Sequence, residues 1–187
     1  SYHEITGSIF SWIGSVHIEL KDYDKSLYYN NKALKIFQTI NNKNHPSLAK
    51  LYNSLGHVFS EKNDYENAIK YHEKSLNIKL MNFGANHLTS AVSYNNLALN
   101  FNNVGLQNKA LEYYVKALKV FLSFYGLEHT SVATVYENIC TIYYSKEKDN
   151  KAIEYCEKSL AINLKINGNH HPSTAISYYN LGCLWED

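Results

Sequence analysis

Five histidines, His3, His45, His87, His129 and His171, stand 42 residues apart without a gap. The same spacing aligns a column of small residues, Gly14, Gly56, Ala98, Cys140 and Gly182. It aligns Phe10 with Tyr52, Tyr94, Tyr136 and Tyr178, and Ser26 with Ala68, Ala110 and Ala152. Leu34, Leu76, Leu118 and Leu160 make an aliphatic column. A period of this length prescribes stacked units, each burying its apolar face only against its neighbours.

Within a unit the apolar spacing is helical. Tyr52, Leu55, Val58 and Phe59 form one stripe, and Ile69, His72, Leu76 and Leu80 form a second. Glu61-Lys62-Asn63-Asp64 supplies a polar turn between them, so each unit is an antiparallel helical hairpin. First helices are expected over 4–20, 46–62, 88–104, 130–146 and 172–186, and second helices over 24–40, 66–82, 108–124 and 150–166. Small residues such as Gly56 and Ala68 let the two helices cross closely. Gly84, Gly126 and Gly168 fall just beyond second helices, where a left-handed residue would end them, and Asn42 holds that register in the first unit. His45-Pro46-Ser47 and His171-Pro172-Ser173 read as helix starts, because proline loses no needed hydrogen bond in the first turn. Thr89 and Ser131 keep the hydroxyl where proline is missing.

The bulk numbers exclude several classes. The net charge is +1, with 18 basic and 17 acidic residues, and every basic residue is lysine. That balance argues against a nucleic-acid partner, and without arginine there is no planar fork for carboxylate or phosphate. No apolar run nears the ~20 residues that span a bilayer, so no membrane partner is expected. Cys140, Cys156 and Cys183 have no CxxC spacing and read as small core thiols, neither a disulfide framework nor a zinc site. A cytoplasmic location is therefore expected, and the initial Ser reads as the start of an excised piece.

The residues resemble the tetratricopeptide repeat family. Its first-helix pattern is similar to Tyr94-Asn95-Asn96-Leu97-Ala98 and Tyr178-Tyr179-Asn180-Leu181-Gly182. Its turn and second helix are similar to Asp64-Tyr65-Glu66-Asn67-Ala68-Ile69-Lys70-Tyr71, with Tyr23 to Ser26 matching in the first unit. The 42-residue length and the Gly…His-Pro joint resemble the kinesin light chain type. The resemblance implies an all-α, right-handed superhelical solenoid of antiparallel hairpins spanning 1–187. Its repeats would run about 4–45, 46–87, 88–129 and 130–171, followed by a lone first helix over 172–187. Two departures stand out. The turn aromatic of Tyr23 and Tyr65 becomes Gln107 and Asp149, and the large second-helix position reads Asn30, His72, Tyr114 and Cys156, which predicts uneven packing there.

In this family first helices line a concave face that binds peptides. By pattern that face carries Lys50, Asn53, Ser54 and His57, then Asn95, Asn96, Leu99 and Asn102. Glu137, Asn138 and Thr141 follow, and finally Tyr179 and Asn180. Asn53, Asn95, Asn96, Asn138 and Asn180 match the asparagines that contact peptide backbone in kinesin-light-chain-type grooves. An amide both donates and accepts, which suits a peptide main chain. Lys50 is the one lysine on that face, against Glu137, Glu19 and Glu61, so a neutral or mildly basic peptide with apolar anchors is expected.

No enzymatic activity, metal or cofactor is expected. The chain has no glycine-rich phosphate loop, HExxH or G-x-S-x-G, and His72-Glu73 lacks a second histidine. The histidine column spaces its members a helix layer apart, too far to share a zinc ion. The expected function is a non-catalytic scaffold that binds an extended peptide of a protein partner. The alternatives are a structural or self-associating spacer and a sensor arm for an enzyme domain elsewhere in the parent protein. Trp12 takes the register of Ser54, Asn96, Asn138 and Asn180, and is expected to pack on sequence upstream. Trp185 shares a column with Phe59, Phe101 and Tyr143 and is expected in the core. The uncovered final helix predicts weak self-association through the ends.

Overall fold

A computed structural model describes residues 2–39 and 44–185 of the chain. Among them lie nine α-helices and no strand: α1 (Tyr2–Glu19), α2 (Tyr23–Thr39), α3 (Pro46–Glu61), α4 (Tyr65–Phe83), α5 (Leu88–Asn103), α6 (Gln107–Tyr125), α7 (Thr130–Ser145), α8 (Asp149–Asn167) and α9 (Pro172–Cys183). Consecutive pairs form four hairpins, followed by α9. Helix ends fall close to the expected positions except at α9, which stops at Cys183. Asn42 lies outside the described residues.

The histidine column caps first helices. His45, His87, His129 and His171 each accept, through Nδ1, the backbone N–H two residues on, at 3.1–3.2 Å. This satisfies one of the free donors at the helix start, as Ser or Asp does more commonly. Behind the caps, Phe83 stacks on His87 and Tyr125 on His129, the latter with centroids 3.7 Å apart. Gly84, Gly126 and Gly168 do have positive φ, but with ψ of 171°, −167° and 178°. That is the extended region only glycine occupies freely, not the left-handed helical one expected. The left-handed helical column sits instead in the hairpin turns, at Lys21, Asn63, Gly105 and Glu147.

Each hairpin closes on one crossing pair. Gly14 faces Asn30, and a Cβ on that glycine would fall 2.6 Å from Asn30 Oδ1. Gly56 faces His72, with a Cβ at 2.8 Å from the ring. In the third hairpin Ala98 and Tyr114 hold these registers, and in the fourth Cys140 and Cys156. All four second-helix residues are buried, whatever their size. The polar members lie deep: His72 Nδ1 and the Tyr114 hydroxyl have no hydrogen-bond partner among the described residues. Burial pulls the His72 imidazole down to about 4 and pushes the Tyr114 phenol well up, so both are neutral at pH 7.

The fourth pair corrects the cysteine reading. Cys140 and Cys156 are core residues as expected, but they are joined by a disulfide, with Cα atoms 5.4 Å apart. Cys183 is free. Sixteen residues and a turn separate the partners, so no short cysteine motif marks them. The crossing of two helices at a small-residue column is what brings the two Cβ atoms within bridging range.

The joints between hairpins alternate. At the α2–α3 joint Ala33, Phe37, Leu48 and Leu51 are buried, and at α6–α7 their equivalents Ala117, Phe121, Val132 and Val135. At α4–α5 the same registers hold Ser75, Lys79, Ser90 and Ser93, and at α8–α9 Ser159, Asn163, Thr174 and Ser177, again buried. Lys79 Nζ donates to Ser93 Oγ at 2.6 Å, and Asn163 Nδ2 to Ser177 Oγ at 2.9 Å. Ser90 and Thr174 each donate to the carbonyl of the preceding glycine, Gly84 or Gly168. The smaller side chains let α4 pack along α5, and α8 along α9, more extensively than α2 along α3 or α6 along α7. The stacking unit is thus two hairpins long: Phe37 and Phe121 stand 84 residues apart.

Trp185 departs from expectation. It is 68% exposed, although its column partners Phe59, Phe101 and Tyr143 pack against the rings of Tyr71, Tyr113 and Tyr155 of the second helix that follows each. No described second helix follows α9. Tyr178 is likewise exposed, whereas Tyr94 and Tyr136 are buried.

The crossings and joints can be probed by substitution. Gly56→Ala should lose about 1–2 kcal/mol in denaturant titrations, because overpacking against His72 outweighs the ~1 kcal/mol gain in helix propensity. As its control, Gly182→Ala meets nothing within 4 Å and should be neutral or stabilising. Burial of Lys79 lowers its ammonium from 10.5 to about 8. Folding therefore works against the charged form: the penalty is complete below about pH 8 and vanishes above about 10.5. Lys79→Met should be more stable than the parent at pH 7, by at most about 3 kcal/mol, with the gap closing between those two pH values. Reduction with a phosphine should lower stability by about 3 kcal/mol, the chain entropy of a loop this short, and hydrogen exchange should rise first in α7 and α8.

Candidate peptide-binding groove

First helices bury one side against second helices and leave the other open. On the open side Lys50, His57, Leu99 and Thr141 are exposed. Asn53, Asn95, Asn96, Asn102, Glu137, Asn138 and Asn180 are half-buried. The two adjacent registers that carry most of these asparagines therefore lie at the floor between neighbouring first helices, with the longer exposed residues one turn away.

Two of the amides reach across to the neighbouring first helix. Asn96 Nδ2 donates to Asn53 Oδ1 at 3.2 Å, and Asn180 Nδ2 donates to Glu137 Oε1 at 3.1 Å. These rungs join α3 to α5 and α7 to α9, at the polar joints. The equivalent rung between Asn95 and Asn138 is not made, and Asn95 Oδ1 is buried without a partner among the described residues. Asn138 has no hydrogen-bond partner there either. An amide offers two donors and two acceptor lone pairs, so the bonded asparagines retain capacity for a ligand. Burial raises the Glu137 carboxyl, and the Asn180 bond offsets part of that rise. His57 Nε2 lies 3.9 Å from Glu61, and Glu61 also accepts from the Tyr23 hydroxyl of the preceding hairpin.

Charge elsewhere is held in structural contacts. Lys32, Lys74, Lys116 and Lys158 form a second-helix column, each over the ring of Tyr28, Tyr71, Tyr113 or Tyr155 at 4.4–5.3 Å. Lys116 and Lys158 also pair with Glu112 and Glu154 four residues earlier. Lys50 has no ion-pair partner among the described residues.

Sequence reasoning did not anticipate two clefts on the open side. One, of about 250 Å³, lies between α1 and α3 and is lined by Trp12, Lys50 and five serines over the ring of Phe37. The other, of about 240 Å³, lies between α5 and α7 and is lined by Val92, Asn95, Thr130, Ser131 and Thr134 over Phe121. Both sit at apolar joints. The signal that could have located them is the 84-residue alternation at the joints, which the 42-residue period conceals.

Comparison with known proteins agrees with this architecture. The pattern of the family described as Tetratricopeptide repeat matches residues 6–81, 64–123 and 131–185. No curated protein matches the chain. Among solved structures, BtubC (BKLC) from P. vanneervenii is 26% identical, with 95% of this chain and 70% of that one covered at a TM-score of 0.82. A putative kinesin light chain of Podosopora anserina with nearly identical TPR-like repeats is 17% identical, with 95% of this chain and 84% of that one covered at 0.79. A Signal Transduction ATPase with Numerous Domains from Pyrococcus horikoshii, with a tetratricopeptide repeat sensor, is 20% identical at 0.83. That match covers 98% of this chain but 28% of the other protein. The fold is an all-α repeat superhelix with kinesin-light-chain-like neighbours. The chain belongs to the tetratricopeptide repeat family.

Proposed function

We propose that this chain is a non-catalytic interaction module, a single solenoid that holds an extended peptide segment of a protein partner along the open face of its first helices. Tetratricopeptide repeats generally mediate protein–protein interaction, and proteins built from them are generally non-catalytic scaffolds. The observation that carries the finer reading is the row of half-buried amides at two adjacent registers of successive first helices, with Asn95 Oδ1 buried and unsatisfied at its centre and Asn138 unpartnered beside it among the described residues. Those groups match what a peptide main chain presents, a donor and an acceptor per residue. With Lys50 set against Glu19, Glu61 and Glu137, the segment would be neutral or mildly basic overall.

The sensor arm is the second reading, supported by the Pyrococcus horikoshii protein that carries such repeats as a sensor. It differs from the first in what is attached to the chain, not in how the groove works. No helix among the described residues is long and apolar enough to cross a membrane. The cytoplasmic placement leaned on three free thiols, and the Cys140–Cys156 disulfide removes that support.

Display selection with random dodecapeptides tests the groove. Selected peptides should bind the parent and weaken about ten- to a hundredfold against the triple variant Asn53→Leu, Asn95→Leu, Asn138→Leu, the loss expected for one or two hydrogen bonds. Circular dichroism would verify that the variant remains folded. Equal binding by both proteins would leave the spacer reading in its place.

A further inference from the structure

The two clefts are the same site written twice. Ser8, Ser11, Phe37, Ser47 and Lys50 of the first correspond, 84 residues on, to Val92, Asn95, Phe121, Ser131 and Thr134 of the second. In both, a phenylalanine from the end of a second helix forms part of the lining, because the apolar joint places its ring there. What differs is the chemistry of the walls.

The first cleft collects donors. The hydroxyls of Ser8, Ser11 and Ser47 have no hydrogen-bond partner among the described residues, and neither does the Lys50 ammonium. Glu61, at the far end of α3, lies about 16 Å along the helix from Lys50, beyond the screening length of physiological salt. Trp12, 69% exposed, walls the cleft with an apolar surface that strengthens any ion pair formed beside it. Three O–H donors and one ammonium around a space for one side chain suit a carboxylate. The second cleft has no charged wall. Val92, Phe121 and the threonine methyls offer an aliphatic lining, with the Asn95 amide beside it.

We propose that the groove reads a bipartite peptide, with an aspartate or glutamate side chain in the α1–α3 cleft and an aliphatic side chain in the α5–α7 cleft. This rests on the peptide-binding reading above and adds the identity and spacing of its anchors. Packed helices are typically spaced about 8–10 Å, so two such steps put α5 at least about 16–20 Å from α1, the reach of about six extended residues. Lys50 and Thr134, at equivalent positions, set the difference between the anchors. Trp12 is then a ligand-contacting residue, not a contact for upstream sequence.

Fluorescein-labelled Gly/Ser dodecapeptides carrying one Glu and one Ile, separated by zero to seven residues in both orders, with a lysine at each end to keep the peptide from being net acidic, are the probe, read by anisotropy. Binding should peak when the anchors are about six residues apart. Lys50→Thr should weaken the best probe about tenfold, the size of one charge-assisted hydrogen bond, and leave a Gln-for-Glu probe unchanged. The converse pair Val92→Ser, Thr134→Lys should shift preference from Ile to a second Glu. The same probes quench Trp12 emission in a Trp185→Phe background if the first cleft is filled. If display-selected peptides bind but these probes do not, or bind without regard to spacing or to Lys50, the bipartite proposal is overturned and the groove survives. If no peptide binds at all, the groove reading falls with it.

Discussion

Everything in this molecule depends on two helices crossing closely enough, in every hairpin, that only a small residue fits on one side. The chain meets that constraint in four ways. Glycine lies against asparagine or histidine, alanine takes the register opposite tyrosine, and in the fourth hairpin the two positions are bonded to each other. As the first-helix residue grows from no Cβ to a methyl, the partner changes from Asn and His to the planar phenol of Tyr. Cysteine on both sides fills the crossing with one covalent unit. Burial, not residue class, is what the second-helix side of the crossing keeps constant. It does so at a cost, since His72 and Tyr114 carry polar atoms into the crossing without partners.

With the hairpins fixed, the remaining freedom lies in how one stacks on the next, and here the chain uses two solutions in turn. Serine-rich joints allow close approach and hold register by hydrogen bonds such as Lys79–Ser93 and Asn163–Ser177. Phenylalanine joints bury more apolar surface and pack the second helix less extensively on the next first helix, while bringing successive first helices closer. A solenoid with identical joints would present a uniform groove. Alternation makes the groove uneven at a period of two hairpins, with inter-helix amide rungs at one kind of joint and clefts at the other.

Helix positions, hairpin pairing and the capping register were legible because each is a local pattern repeated several times. The His-Pro-Ser starts are an example: a hydrogen bond over two residues and a proline at the first turn leave a signature in three letters. The disulfide was not legible, since Cys140 and Cys156 meet only through a tertiary crossing and each resembles an ordinary small core residue. Trp185 misled for the opposite reason. Its column is a packing position only where a second helix follows, and column membership alone does not say whether the partner is there. The rungs and clefts of the groove depend on differences between repeats, whereas aligning repeats by their likeness sets those differences aside.

Differences between repeats are also what can give such a groove selectivity. Residues identical in every repeat, such as the capping histidines, hold the stack and present the same chemistry at each level, so they give a ligand no register. Positions that differ between equivalent clefts fix where along the groove a peptide can stop. Lys50 against Thr134, and Ser8 against Val92, are such positions, and each is exposed at a cleft whose floor is the same phenylalanine. Substitution there leaves the hairpin crossings and the polar joints untouched. Recognition can therefore change in this architecture without disturbing the contacts that keep it folded.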